Sequence, residues 1–338
     1  MKKILLYFLL FLPLLCPAET RIFSGSLFGL VTNGKSVFSI LSSSSFDTLI
    51  EIYPGNKKSK PLPPYKGLKR DYRVIENNIV VLSDNCVSIY NPNLVLLKQF
   101  KLPDVPVDYC YFMGCGYITE LNLNPNFIEC SGKTFFYHNL SVTEIRDKLE
   151  LPGIKIELKN DIFTINDIST KIKFRSFGDL SSFLNIPEKD RISVFNPIYG
   201  ISSNGTRELV KVEFNLFDTS GQLIASLPFE YGEMSIYPLK NGYILNNDKK
   251  TIIADKKGNI VKYVSKKFLK IIGALSEEKI LLKANDSSLV QLSLNTFELK
   301  EKVMQEKIAD VILLNDIIFY IPKSNDKQIR IKPIKDIF

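Results

Sequence analysis

The chain has no tryptophan and one histidine, His138, among its 338 residues. A lone histidine excludes histidine-rich metal sites and argues against a histidine-centred catalytic triad. The G-x-S-x-G and P-loop patterns are absent as well. Beyond residues 4–15 there is no apolar run that could cross a membrane. What is present is ordinary for a folded domain. Hydrophobic residues make up 45% and charged residues 24%, which excludes a disordered or collagen-like chain.

The segment from Met1 to Ala18 reads as a leader. Lys2 and Lys3 form a basic start, Ile4 to Leu15 an apolar stretch, and Cys16-Pro17-Ala18 a cleavage site. The run is shorter than the ~20 residues a permanent anchor needs. The expectation is export to the periplasm, to the outer membrane or out of the cell. Cys16 raises a second option, lipidation, but that motif wants a small residue where Leu15 stands. Removal of the leader leaves the stretch from Glu19 to Phe338, read as one domain over 19–338.

Four cysteines remain: Cys86, Cys110, Cys115 and Cys130. An even number in an exported chain points to disulfides, with three pairings open. Buried reduced thiols are the alternative. A zinc site is not expected, because the C-x4-C spacing has no histidine partner.

The rest of the sequence is periodic. Turn-like pairs occur at Asn33-Gly34, Asn77-Asn78, Pro125-Asn126, Asn160-Asp161, Tyr199-Gly200, Asn241-Gly242, Glu277-Glu278 and Asn315-Asp316. Their second residues lie 44, 48, 35, 39, 42, 36 and 38 apart. Several are followed by strand, turn, strand, turn, strand, as in the stretches starting at Asn77, Asn241 and Glu277. A later turn recurs as Asp218-Thr219-Ser220-Gly221 and Asp255-Lys256-Lys257-Gly258. In such a turn aspartate accepts backbone hydrogen bonds and glycine supplies positive φ.

A period of roughly 40 residues with four strands per unit resembles the blades of β-propeller repeat proteins. The form around FDTSGQLIAS is similar to quinoprotein-like and NHL-like blades, though no specific family fits. WD-type, quinoprotein-type and sialidase-type repeats each use a tryptophan that this chain lacks. The resemblance implies an all-β propeller of eight four-stranded blades, with seven as the alternative. A β-sandwich or tandem β-domains would also place short strands at similar spacing.

The chain ends sharpen this expectation. Arg21 to Ser24 form a strand without a unit, and the last unit lacks its outer strand. Pairing Arg21–Ser24 with the region Gln328–Lys332 would close the ring and leave no open edge. Two short helices are also expected. One, at about 142–150, follows the capping-box pattern at Ser141 to Glu144, and the other runs from Asp179 to Leu184. The loop from Asn56 to Arg73 should be irregular, because Pro61, Pro63 and Pro64 forbid central-strand pairing.

Charge is uneven. Residues 19–255 hold 26 basic and 26 acidic residues, whereas 256–338 hold 16 basic and 10 acidic, so the excess of +6 is C-terminal. A second basic cluster lies in the proline-rich loop: Lys57, Lys58, Lys60, Lys66, Lys69, Arg70 and Arg73. In a closed ring the first and last blades are neighbours, so these regions could form one basic sector for an anionic polymer, an anionic lipid surface or an envelope protein. Solubilising surface lysines are the plainer explanation. Nucleic acid is not expected for an exported chain.

No residues are nominated as catalytic or as metal ligands, and no cofactor is expected. His138 sits in a strand, where structural roles dominate. Asp84, Asp218, Asp255 and Asp286 fit turn capping better than calcium binding, which needs a denser acidic loop. The sequence therefore favours a non-enzymatic, monomeric binding or scaffold propeller of the bacterial envelope. Outer-membrane assembly factors with eight-bladed propellers offer an analogy. The alternative is a propeller-type enzyme acting on a polysaccharide or small metabolite, with carboxylates at the central channel.

Overall fold

The computed structural model describes residues 19–44, 46–55, 58–64, 66, 70–102, 110–112, 127–130, 133–174, 184–188, 191–229, 235–239, 241–246 and 251–338. These residues form eight antiparallel sheets of four strands each, arranged as the blades of a ring. Blade 1 covers residues 26–61, blade 2 70–101, blade 3 110–145, blade 4 148–173, blade 5 184–229, blade 6 235–264 and blade 7 268–302. Blade 8 takes three strands from 308–333 and its fourth from the N-terminus. Within each of the other blades the chain runs from the innermost strand outwards. No helix among the described residues is long and apolar enough to cross a membrane.

The burial of each strand follows from its place in a radial sheet. A middle strand is covered on both faces by neighbouring blades, so it needs apolar residues without alternation. Asn78–Ser83 and Lys133–His138 are buried along almost their whole length. Outer strands meet solvent: Ile260–Val264 alternates between half-buried and exposed, and Leu96–Lys101 is mostly exposed. The apolar core is divided among the gaps between blades. Leu27, Val37 and Ile52 of blade 1 pack on Ile312, Phe319 and Ile331 of blade 8. Phe38 and Leu49 of blade 1 meet Val74 and Val81 of blade 2 on the other side. Each such side chain, fully buried, contributes roughly 1.5–3 kcal/mol. With no tryptophan available, Tyr90, Tyr137, Tyr243 and Tyr320 are among the largest fully buried side chains.

The ring closes where the sequence places the closure. Glu19–Ile22 pairs antiparallel with Gln328–Ile331, Glu19 opposite Ile331 and Ile22 opposite Gln328. The strand begins at Glu19, slightly earlier than the expected start at Arg21. Arg330 Nη1 donates to Thr20 Oγ1 at 2.6 Å across this pair. Arg21 Nη1 donates to the Ile52 carbonyl of blade 1 at 2.5 Å.

Most of the repeating turn signals join the first and second strands of a blade. Asn315 and Asp316, with φ of 49° and 60°, form a two-residue hairpin turn of the kind that matches strand twist. Two signals sit elsewhere. Asn160-Asp161 joins the second and third strands of blade 4, because Pro152-Gly153 already makes its first turn. Tyr199-Gly200 is not a turn: it lies inside the strand Arg191–Ile201, paired with Leu209 and Glu208. Pro125-Asn126 lies outside the described residues.

The helix expected at 142–150 is not formed. Ser141–Ile145 is the outer strand of blade 3 and Lys148–Leu151 the inner strand of blade 4. The Ser141 hydroxyl donates to the His138 carbonyl at 2.8 Å and caps no helix. Pairing of the whole strand with Lys133–His138 outweighs the local capping signal. Of the second expected helix, residues 179–183 lie outside the described set and Leu184 begins a strand. In the proline-rich loop Ser59–Pro61 forms a short outer strand, an edge position that tolerates proline.

Candidate functional site

A cavity of about 560 Å³ opens between the innermost strands of blades 7, 8, 1 and 2. Its floor is a bulge in the innermost strand of blade 1, Ser26–Thr32, where the register shifts between Phe28 and Val31. Gly29 takes φ of 71° there, which removes its neighbours' polar groups from the ladder. Three blades supply the missing partners. Asp310 Oδ2 of blade 8 accepts from Leu30 N at 2.7 Å, Tyr72 OH of blade 2 donates to the Phe28 carbonyl at 2.6 Å, and Ser39 Oγ donates to the Gly29 carbonyl at 2.8 Å. Asp310 Oδ1 also accepts from its neighbour Val311 N at 2.8 Å and from Lys270 Nζ of blade 7 at 2.9 Å. One carboxylate thus ties blades 7, 8 and 1 on the axial side, opposite the strand pairing that ties 8 and 1 at the rim.

Asp71, Arg73 and Asp326 also line this cavity. Asp71 Oδ1 accepts from Tyr72 N at 2.8 Å. Burial pushes the Tyr72 phenol far above its usual range. Asp71 and Asp310 therefore use their oxygens on backbone donors of the fold, as structural carboxylates do.

The seven basic loop residues separate in space. Lys57 and Lys69 lie outside the described residues. Lys60 and Lys66 are exposed on the rim of blades 1 and 2, and Lys58 Nζ donates to Asn93 Oδ1 of blade 2 at 2.9 Å. Arg70 is 3% exposed and belongs to the interior. Its guanidinium meets Asp47 Oδ2 at 3.1 Å, Ser83 Oγ at 2.6 Å and the Pro63 carbonyl at 2.7 Å. It fixes the loop to blades 1 and 2 and is no part of a surface patch. Arg73 is half-buried on the axial side.

The cysteines separate too. Cys86 is a free, half-buried thiol, 4.0 Å from Ser88 Oγ, so the expectation of pairing does not hold for it. Cys130 is fully buried and stands opposite Cys110 in the ladder of blade 3. Cys115 lies outside the described residues, as does Cys16. His138 bridges blades: its Nδ1 lies 2.7 Å from Glu76 Oε1 of blade 2.

Three of the four aspartates read as turn caps, Asp218, Asp255 and Asp286, take that role. Asp218 Oδ1 accepts from Ser220 N and Gln222 N, each at 2.9 Å. Asp255 Oδ1 accepts from Lys257 N at 2.9 Å and Asn259 N at 2.8 Å. Asp286 Oδ1 accepts from Ser288 N at 3.0 Å. Asp84 Oδ2 instead accepts from Lys66 N at 2.8 Å, 18 residues away, and ties the loop before blade 2 to a turn of that blade. Gly221 and Gly258, with φ of 80° and 81°, complete two of these turns. They also dock the blades: a Cβ on Gly258 would lie 2.2 Å from Ala225 Cβ of blade 5, and one on Gly221 2.9 Å from Ile168 Cβ of blade 4.

Sequence reasoning missed the Lys270–Asp310 pin. Its trace in the sequence was Gly29, an isolated glycine inside an apolar strand, which is the usual sign of a bulge.

No protein-family model matches the chain. No curated protein matches it either. Solved structures do. The computationally designed Ika8 protein matches with a TM-score of 0.50 and 11% identity, over 93% of this chain and 98% of that one. A chain of the Mitotic Checkpoint Complex matches with a TM-score of 0.50 and 11% identity, over 94% of each chain. BamB from Moraxella catarrhalis matches with a TM-score of 0.45 and 9% identity, over 91% of this chain and 84% of that one. At such identities the likeness concerns the fold alone. The protein is an eight-bladed β-propeller whose ring is closed by its N-terminal strand.

Proposed function

We propose that the protein is an exported, non-enzymatic binding scaffold of the bacterial cell envelope. The observation that carries this reading is the use made of the charges at the ring's centre. Asp71 and Asp310 accept backbone N–H groups, and Asp310 is also paired with Lys270. Carboxylates held this way are poor general acids or bases, because taking up a proton would cost the fold the hydrogen bonds they accept. A closed ring pinned at rim and axis is instead a rigid support for recognition by its loops and faces. The leader-like residues 1–18 support export, and the exposed Lys60 and Lys66 support contact with an anionic polymer, lipid surface or acidic envelope protein. An oxidising compartment also suits a disulfide between Cys130 and Cys110, which the ladder sets opposite each other.

Affinity capture from native envelope with the full-length protein tests the scaffold reading. The expected result is a specific co-purifying envelope component that is lost or weakened in a Lys58→Gln, Lys60→Gln, Lys66→Gln variant. Capture unchanged by the triple variant removes the loop from the binding surface. Recovery of the full-length chain in the cytoplasm, with its N-terminus uncleaved, removes the envelope from the proposal. Alkylation of the unfolded, unreduced protein should label Cys86 and spare Cys130; labelling of both refutes the disulfide.

A further inference from the structure

The axial cavity sets a cationic spot beside an apolar wall. Lys270 is an ammonium with three N–H donors, and its one hydrogen bond among the described residues goes to Asp310 Oδ1 at 2.9 Å. Its side chain is 21% exposed. Lys283, opposite Lys270 in the ladder of blade 7, is 7% exposed, and its Nζ donates to the Ala309 carbonyl of blade 8 at 2.7 Å. Burial pushes the Lys283 pKa down, Asp310 opposes this, and Lys270 adds to it. Lys270 thus keeps N–H donors that Asp310 does not use. Of the other charged lining groups, Asp71 and Arg73 balance on the wall formed by blade 2, and Asp326 lies at the exposed turn of blade 8.

Beside this cationic spot lie two large apolar side chains that the core does not cover. Phe28 and Leu269 both line the cavity, and each is 43% exposed. Leu269 is the immediate neighbour of Lys270. A cavity of about 560 Å³ falls in the range of small-molecule sites, about 300–1,000 Å³. Such sites are mostly apolar with a few placed polar groups.

We propose that this cavity binds a small amphipathic carboxylate, with its headgroup on Lys270 and its apolar body against Phe28 and Leu269. The reading does not rest on the envelope role, and its test uses the purified protein alone. Octanoate, kept below its micelle concentration, is titrated calorimetrically against the protein. Acetate serves as a headgroup without a body, and octyltrimethylammonium as a body with the opposite charge.

The expected result is saturable, one-to-one octanoate binding, with neither control ligand bound. Lys270→Met should weaken octanoate binding by about tenfold or more, the scale of one lost charge-assisted contact, and Lys270→Arg should largely retain it. Since Lys270→Met also disturbs Asp310, Leu269→Asp is the second variant. It changes an exposed residue, should leave the unfolding midpoint near that of the parent, and should abolish octanoate binding. Three results overturn the proposal: no saturable binding of octanoate up to ~1 mM, a weak affinity by the usual scale; equal binding of octyltrimethylammonium; or octanoate affinity unchanged in both Lys270→Met and Leu269→Asp.

Discussion

Replacing Asp310 with alanine tests the axial pin directly. The substitution removes the acceptor of three donors: Leu30 N at 2.7 Å, Val311 N at 2.8 Å and Lys270 Nζ at 2.9 Å. A hydrogen bond to a charged group is worth about 1.5–3 kcal/mol, and an orphaned buried donor costs about 1–3 kcal/mol. These donors are not equally vulnerable. Leu30 is 3% exposed, so its N–H has little access to replacement water. The side chain of Lys270 is 21% exposed and can be hydrated from the cavity. Counting Leu30 in full and the other two at a discount gives a loss of about 3 kcal/mol for Asp310→Ala. Lys270→Met leaves the carboxylate with both backbone donors, so it should cost only about 1 kcal/mol. Urea unfolding, followed by circular dichroism because there is no tryptophan, measures both. The double variant should lose less than the sum of the single losses, as contacting residues do. A Lys270→Met loss equal to or larger than that of Asp310→Ala refutes the reasoning, since it would make the ion pair, not the bulge, the main purpose of Asp310.

Other expectations follow from geometry already described. Gly34 and Gly258 share φ of 82° and 81°, but a Cβ on Gly34 meets nothing within 4 Å while one on Gly258 overlaps Ala225. Gly34→Ala should therefore cost about 1 kcal/mol from backbone strain alone, and Gly258→Ala about 1–3 kcal/mol more from overpacking; equal losses in thermal unfolding would contradict the blade-docking role. Arg70→Met strands Asp47, whose side chain is 10% exposed, and should cost about 3–5 kcal/mol, with Arg70→Lys only a partial rescue because it cannot fork to Ser83 and Pro63; a loss near zero by urea unfolding would return Arg70 to the surface. Asp286 has its pKa lowered to about 2: burial opposes the shift, but hydrogen bonds from Lys266 and Ser288 outweigh it. A lowered folded-state value means stability that is present above the unfolded value of about 3.9 and lost as pH falls towards 2. The parent should thus lose more stability than Asp286→Asn between about pH 4 and pH 2, and parallel acid profiles would refute this.

Periodicity made the architecture readable. Each blade needs the same apolar strands and the same turn chemistry, so the sequence repeats, and eight repeats fill the stretch from Glu19 to Phe338. The missing outer strand of the last unit likewise announced the closure by residues near Arg21, because an open edge in a ring is a visible defect. Aspartate caps such as Asp218 and Asp255 were also readable, since a cap bonds close to itself in sequence, here to Gln222 N and Asn259 N. Capping and turn signals failed where pairing of a whole strand with its hairpin neighbour competed. The capping pattern at Ser141 yielded to the ladder with Lys133–His138, and Tyr199-Gly200 was drawn into a long hairpin.

Tertiary structure alone decided which charges are surface and which are scaffold. Arg70 stands in a run of basic residues and looks like its neighbours, yet it is buried because Asp47, Ser83 and the Pro63 carbonyl converge on it from two strands and a loop. Asp310 stands 280 residues from Leu30, a separation that no local pattern can encode. A repeating sequence determines blades because each blade is built from near neighbours. What happens at the seam, and in the cavity beside it, depends on residues from the two ends of the chain that meet only when the ring has closed.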